Sequence, residues 1–123
     1  MDKQHKIDYI ELPATNLQAS KQFFGKVFNW TFEDYGSEYS AFFNAGLTGG
    51  FYQSELCSST ANGASLVVLY ASDLDQTLER VKAAGGKIIK PPFNFPGGRR
   101  FHFTEPSGNE LAVWSDDKLS TRE

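Results

Sequence analysis

Leu12-Pro-Ala-Thr-Asn-Leu-Gln18 returns, with substitutions, as Leu69-Tyr-Ala-Ser-Asp-Leu-Asp75. In both copies Leu and Ala lead into a hydroxyl residue, then Asn or Asp, then Leu. A match of this kind marks a duplicated supersecondary unit. Each copy reads as the end of a strand followed by the start of a helix. Thr15 and Gln18 have capping-box spacing, where the hydroxyl accepts from the third amide and the side-chain amide reaches back. Ser72 and Asp75 repeat the pattern with a shorter acid.

Working outward, an amphipathic helix follows each copy. Leu17, Phe24, Val27 and Phe28 recur at helical spacing, with Gln18, Lys21 and Lys26 on the other side. Leu74, Leu78 and Val81 do the same opposite Glu79, Arg80 and Lys82. Gly85 and Gly86 end the second helix, because glycine tolerates the left-handed conformation needed there. A strand precedes each helix, at Ile7 to Pro13 and at Ser65 to Tyr70. Three strand-like runs follow each: Trp30 to Asp34, Tyr39 to Phe43 and Leu47 to Tyr52, then Lys87 to Lys90, Arg100 to Thr104 and Glu110 to Trp114. Gly97 and Gly98 read as a hairpin turn and not as a phosphate cradle.

The order is β-α-β-β-β, twice, in a single domain. The first module covers 6–52, a Ser/Thr/Asn-rich linker 53–63, the second module 64–115, and a polar tail 116–123. Linker and tail read as mobile and frayed. Two such modules suit a ferredoxin-like pair or a duplicated half-barrel, and three strands after each helix favour the half-barrel. The expected class is α+β, with curled mixed sheets around a concave cavity and helices on the outer face.

A chain of 123 residues with 40% hydrophobic and 22% charged residues fits one soluble globular domain. Aromatic residues reach 15%, eleven of them Phe, so they either fill the core or line a pocket as well. The net charge of −3 argues against nucleic-acid binding, and the Arg99–Arg100 pair is too short a basic footprint. Met1 to Lys6 lacks the apolar stretch of a signal peptide, and no apolar run approaches the roughly 20 residues of a membrane span. The single Cys57 excludes an internal disulfide. Cytoplasm is the expected compartment.

Three pieces carry a family resemblance: Ile7-Asp-Tyr-Ile-Glu-Leu-Pro-Ala14, Phe23-Phe-Gly-Lys-Val-Phe-Asn-Trp30, and Phe101-His-Phe-Thr-Glu-Pro-Ser-Gly-Asn-Glu-Leu-Ala-Val-Trp114. With the repeat, they make the chain similar to the vicinal oxygen chelate superfamily, which includes glyoxalase I, extradiol dioxygenases and bleomycin-resistance proteins. The resemblance implies paired βαβββ modules around a cavity, commonly completed by a homodimer. In metal-using members a divalent ion held by His and Glu polarises the substrate's oxygens. The resemblance places those ligand positions at Tyr9, Leu66, Ala112 and near Gly50. None is His or Glu, so the expectation is no resident metal and no cofactor.

Strand alternation sorts the remaining candidates. Tyr9 and Glu11 face the concave side of the first module. Leu66, Val68 and Tyr70, with Glu110, Ala112 and Trp114, face that of the second. Arg100, His102 and Thr104 share a face that alternation alone does not fix. Glu11, in an apolar strand, reads either as a base or cationic-ligand anchor, or as a structural partner of an Arg (Arg100 among them) or of Tyr9. Glu110 reads as a partner of loop amides. His102, flanked by Phe101 and Phe103, reads as a wall residue, and as the best acid/base candidate if there is chemistry. Tyr9, Tyr70 and Trp114 form an aromatic platform or stack into the core or a dimer interface. CxxC, HExxH and P-loop motifs are absent. The expected function is metal-independent small-molecule binding on Tyr9, Glu11, Leu66, Val68, Tyr70, Ala112 and Trp114. The alternative is a glyoxalase-like lyase/isomerase, or a hydrolase, using Glu11 and His102 as acid and base.

Overall fold

The structure is a computed structural model in which residues 2–116 are described; the tail beyond Asp116 lies outside them. The elements run β1 (Tyr9–Ala14), α1 (Leu17–Phe28), β2 (Thr31–Asp34), β3 (Tyr39–Phe43), β4 (Thr48–Gln53), β5 (Val67–Tyr70), α2 (Leu74–Ala83), β6 (Lys87–Phe95), β7 (Gly98–Thr104) and β8 (Glu110–Ser115). They build two four-stranded sheets, ordered β1-β4-β3-β2 and β5-β8-β7-β6. In each, the first strand pairs parallel with the last and the other pairs are antiparallel, so the sequence repeat is also a repeat of topology.

Both helices start one residue later than the capping-box spacing predicts. Asn16 caps α1 by accepting from the Ala19 amide at 3.0 Å, and Asp73 caps α2 by accepting from Gln76 at 3.0 Å. Asn and Asp present a carbonyl oxygen to the third amide and take the cap from the neighbouring hydroxyl residues. Thr15 Oγ1 instead donates to the Ser107 carbonyl at 3.3 Å. Asn29 closes α1 at φ 64°, and Gly85 follows α2 at φ 102°. β6 runs on through Pro91 and Pro92 to Phe95, with two register shifts around the prolines. As an edge strand it tolerates residues that cannot donate to a ladder.

The helix-side faces of the two sheets share one core. Phe24 stacks on Trp30 at 4.5 Å and Phe51 at 5.6 Å, while Phe23, on the same helix, reaches Phe103 of the other module at 5.8 Å. Phe23, which the helical spacing did not single out, is as deeply buried as Phe24. A polar seam accompanies the aromatics. Asn109 Nδ2 donates to the Pro13 carbonyl at 2.6 Å and to Glu105 at 2.7 Å, and Ser20 Oγ donates to Glu105 at 2.7 Å. Burial pushes the Glu105 carboxyl up, against the opposing pull of these hydrogen bonds and of the Ser107 amide.

The linker is tethered and not loose. Ser58 N–H donates to Asn109 Oδ1 at 2.8 Å, the Glu110 N–H donates to the Ser58 carbonyl at 2.8 Å, and a single 3₁₀ turn spans Thr60–Asn62. No described helix is long and apolar enough to cross a membrane.

Candidate functional site

With the helices occupying one face of each sheet, the opposite faces hold the remaining polar and aromatic side chains. On the first sheet, Tyr9, Glu11, Tyr39 and Gly50 share that face. The Tyr39 hydroxyl donates to Glu11 Oε2 at 3.0 Å and sits 2.6 Å from the Tyr9 hydroxyl. Since Tyr39 has one proton to give, Tyr9 is the donor in the second contact. Burial, then the bonds to Tyr9 and Glu11, hold the Tyr39 phenol well above the usual range. Glu11 itself is exposed and has taken Tyr39 as partner, in place of the Arg100 or Tyr9 that the sequence suggested. A Cβ built at Gly50 would run into the Tyr39 ring, so glycine here is what lets the phenol lie across the strand.

On the second sheet the register settles the face left open by alternation. Arg100 lies opposite Trp114, His102 opposite Ala112, and Thr104 opposite Glu110, so all six share the side away from the helices. His102 is 2% exposed, and its Nδ1 lies 2.8 Å from Glu110 Oε2. The other carboxylate oxygen accepts from Thr60 N–H at 2.8 Å and Thr60 Oγ1 at 2.9 Å. Burial alone would raise the Glu110 carboxyl, but the His102 and Thr60 hydrogen bonds outweigh it and hold the group low. With Nδ1 bonded to the carboxylate, Nε2 is the ring nitrogen left over, an acceptor in the neutral ring and a donor in the charged one. That Nε2 is buried with no hydrogen-bond partner among the described residues, and so is Nε of Arg100.

Aromatic rings frame these two residues. Phe93 and Phe95 lie 5.5 Å and 5.7 Å from the Arg100 guanidinium, and the Phe93 ring is also 5.9 Å from that of His102. Trp114 packs against Phe95 at 6.1 Å and against Tyr70 at 5.2 Å, and the Tyr70 hydroxyl donates to Asp116 at 2.9 Å. An open recess of about 310 Å³ is lined by Val68, Phe95, Gly97, Arg100 and Trp114. A larger recess of about 430 Å³ between β1 and β5 has Ile10, Leu12, Phe42, Val67 and Leu69 among its walls, with Asn44 and Tyr70, and holds no carboxylate, imidazole or cation.

The structure therefore groups Val68, Tyr70, Ala112 and Trp114 on one face, with the half-buried Leu66 just before β5, and places Tyr9 and Glu11 together on the other sheet. It does not bring Glu11 to His102: each has its own partner on its own sheet. Arg100, Phe93, Phe95, Tyr39 and Thr60 enter as further site residues. Of these, Arg100 was legible, because pairing β7 to β8 across the Pro106–Asn109 turn puts it opposite Trp114.

The ion implied by the resemblance can be tested against these donors. Glu11 pairs with Gly50, and Val68 with Ala112, so the registers make Gly50 and Ala112 equivalent positions. Gly50 has no side chain and its space belongs to Tyr39, Ala112 carries no donor, and Leu66 is aliphatic. His102 and Glu110 make a pair already committed to each other and to Thr60. His5 is exposed on the N-terminal segment, outside both sheets. No group of three or more His, Cys, Asp or Glu among the described residues could hold an ion. The residues present do not fit the metal.

Paired βαβββ modules, each a four-stranded mixed sheet with its helix on one face, define a class of small α+β domains. The chain belongs to the Glyoxalase/Bleomycin resistance protein/Dioxygenase superfamily, whose family model matches residues 6–113. Among solved structures it is similar to a variant of the fosfomycin resistance protein FosX from Listeria monocytogenes, complexed with Mn(II) and 1S,2S-dihydroxypropylphosphonic acid, at TM-score 0.76, 20% identity and 96% and 94% of the two chains. It is similar as well to a glyoxalase-related enzyme from Fulvimarina pelagi, at TM-score 0.71, 20% identity and 90% and 88% coverage. An uncharacterized protein of Mycolicibacterium smegmatis is 28% identical over 115 residues, covering 90% of this chain and 94% of its own. The protein named "Putative glyoxylase CFP32" in Mycobacterium bovis is 22% identical across 94% of this chain. This chain spans about half the length (48%) of that relative.

Proposed function

We propose that this chain binds a small molecule against the aromatic face of the second sheet, without a resident metal ion. The observation that carries the reading is the combination on that face. Trp114, Tyr70, Phe93 and Phe95 surround two polar side chains with unused buried atoms, while the family's ligand positions hold Tyr, Gly, Leu and Ala. Ligand sites in small domains pair apolar walls with a few convergent polar groups in this way. Val68, Tyr70, Ala112 and Trp114 form the platform, and Tyr9 with Glu11 form a second polar patch on the first sheet. Because these faces carry exposed Tyr9 (44%), Val68 (42%) and Tyr70 (52%) in one chain, a second copy is the natural cover for them, and the working form is a homodimer. The exposed free thiol of Cys57 suits a reducing compartment, the cytoplasm. The test is metal analysis of protein purified without chelators, combined with a binding screen by thermal shift. A stoichiometric transition metal mapped to this face overturns the reading; ligand-induced stabilisation unaffected by chelator supports it.

A second reading rests on the His102–Glu110 bond. A carboxylate that fixes Nδ1 leaves Nε2 able to take a proton from a bound molecule, which is the arrangement of a general base. This replaces the Glu11–His102 partnership with Glu110–His102, in a lyase or isomerase. Turnover in a substrate screen that is lost on His102→Gln and weakened on Glu110→Gln supports it.

A further inference from the structure

We infer that the second-sheet face selects planar organic anions, with Arg100 receiving the carboxylate, sulfonate or phosphonate and Trp114 receiving the apolar body. The inference rests on the proposed reading of this face as the ligand site and names the class of molecule. Arg100 is a half-buried cation with no ion pair and no hydrogen bond among the described residues, and its Nε is fully buried. A guanidinium removed from water without an acid partner is costly, so such a group normally has one. Nothing among the described residues fills that role. Glu110 is taken by His102 and Thr60, and the bonded oxygen of Asp116 by Tyr70. By contrast, the adjacent Arg99 is paired with Asp75 at 3.2 Å.

The environment of Arg100 also sets the shape of the partner. Phe93 and Phe95 hold the guanidinium by their rings and not by an acid, which leaves the outer end of its fork to meet a bidentate acceptor. Val68, Phe95 and Trp114 line the recess of about 310 Å³ beside it, room for a one- or two-ring body. Two residues along the same strand face, buried His102 packs on the same Phe93 ring and closes the inner end of the face.

The experiment uses three probes of one shape and different charge: 2-naphthoate, 2-naphthylmethanol and 2-naphthylmethylammonium. Calorimetry gives their affinities, and the Trp114 indole N–H resonance reports location, with buried Trp30 as the internal control. The expected result is naphthoate binding at least about tenfold tighter than the alcohol, with the Trp114 signal shifted and the Trp30 signal still. Added salt weakens the naphthoate alone. Arg100→Gln lowers naphthoate affinity about tenfold or more and leaves the alcohol within about twofold, and Arg100→Lys falls between. An unchanged melting temperature certifies each variant. Equal binding of acid and alcohol, or a preference for the ammonium, overturns the anion inference and leaves the small-molecule reading standing. A Trp114 signal that none of the three moves overturns both.

Discussion

Nδ1 of His102 and Oε2 of Glu110 lie 2.8 Å apart, while the other oxygen of the same carboxylate holds Thr60 of the linker. One side chain thus ties the inter-module segment to the imidazole on the side of the sheet away from the helices.

Removing that carboxylate is expected to cost stability. Glu110→Ala strands two donors of Thr60 and the His102 ring, for a loss of about 2–3 kcal/mol in chemical denaturation. Because the folded carboxyl is held below its ordinary 4.5, its contribution is complete above that value and disappears as pH falls through the lowered one. The protection of the Thr60 amide against hydrogen exchange, relative to its intrinsic rate at each pH, is expected to fall on acidification in the parent protein and to be absent throughout in the variant.

Asn109→Ala cuts the seam between the modules. It removes the donor to Pro13 and Glu105 and the acceptor for Ser58, all in a fully buried setting, so a loss of about 2–4 kcal/mol is expected. Glu105 carries the opposite pH sign from Glu110. Its folded carboxyl lies above 4.5, so its contribution is greatest at low pH and declines as pH rises through the raised value. A stability profile of Glu105→Leu against pH is expected to lack that decline.

The Phe24 ring has no exposed surface and stacks on Trp30 and Phe51. Phe24→Ala is expected to cost about 3–5 kcal/mol and to shift the Trp30 emission to the red, since the indole loses its covering ring.

Gly50→Ala tests whether the Tyr39 phenol depends on the missing side chain. The new methyl displaces the ring, and a loss of about 1–3 kcal/mol is expected, with recovery in the Gly50→Ala/Tyr39→Ala double variant. Spectrophotometric titration adds an independent check. Tyr39→Phe is expected to remove the tyrosine that ionises at the highest pH.

The repeated Leu-x-Ala-hydroxyl-Asx-Leu motif carried the strand-helix boundary, and every strand it implied is present, because alternation and helical spacing are local properties. Cap identity was legible only to within a residue: Thr15 and Asn16 are both good caps, and Ser107, ninety-odd positions away, draws Thr15 aside. The same holds for the site. Val68, Tyr70 and Trp114 follow from alternation on parallel neighbours. The tie from Thr60 to Glu110 and the crossing of Tyr39 over Gly50 depend on contacts between distant segments, which no local pattern encodes. Glu11 read as the anchor because it is a charge in an apolar strand. Arg100 sits beside a second arginine and two prolines' worth of turn signal, and only strand pairing separates its environment from that of Arg99.

Pro91 and Pro92 remove two successive backbone donors from the outermost strand of the second sheet, where the ladder shifts register. An interrupted rim cannot template the addition of another chain's backbone. Fibrillar growth along that edge is thereby disfavoured, and replacing the two imino acids with Thr is expected to raise thioflavin-positive material in concentrated solution above the parent level.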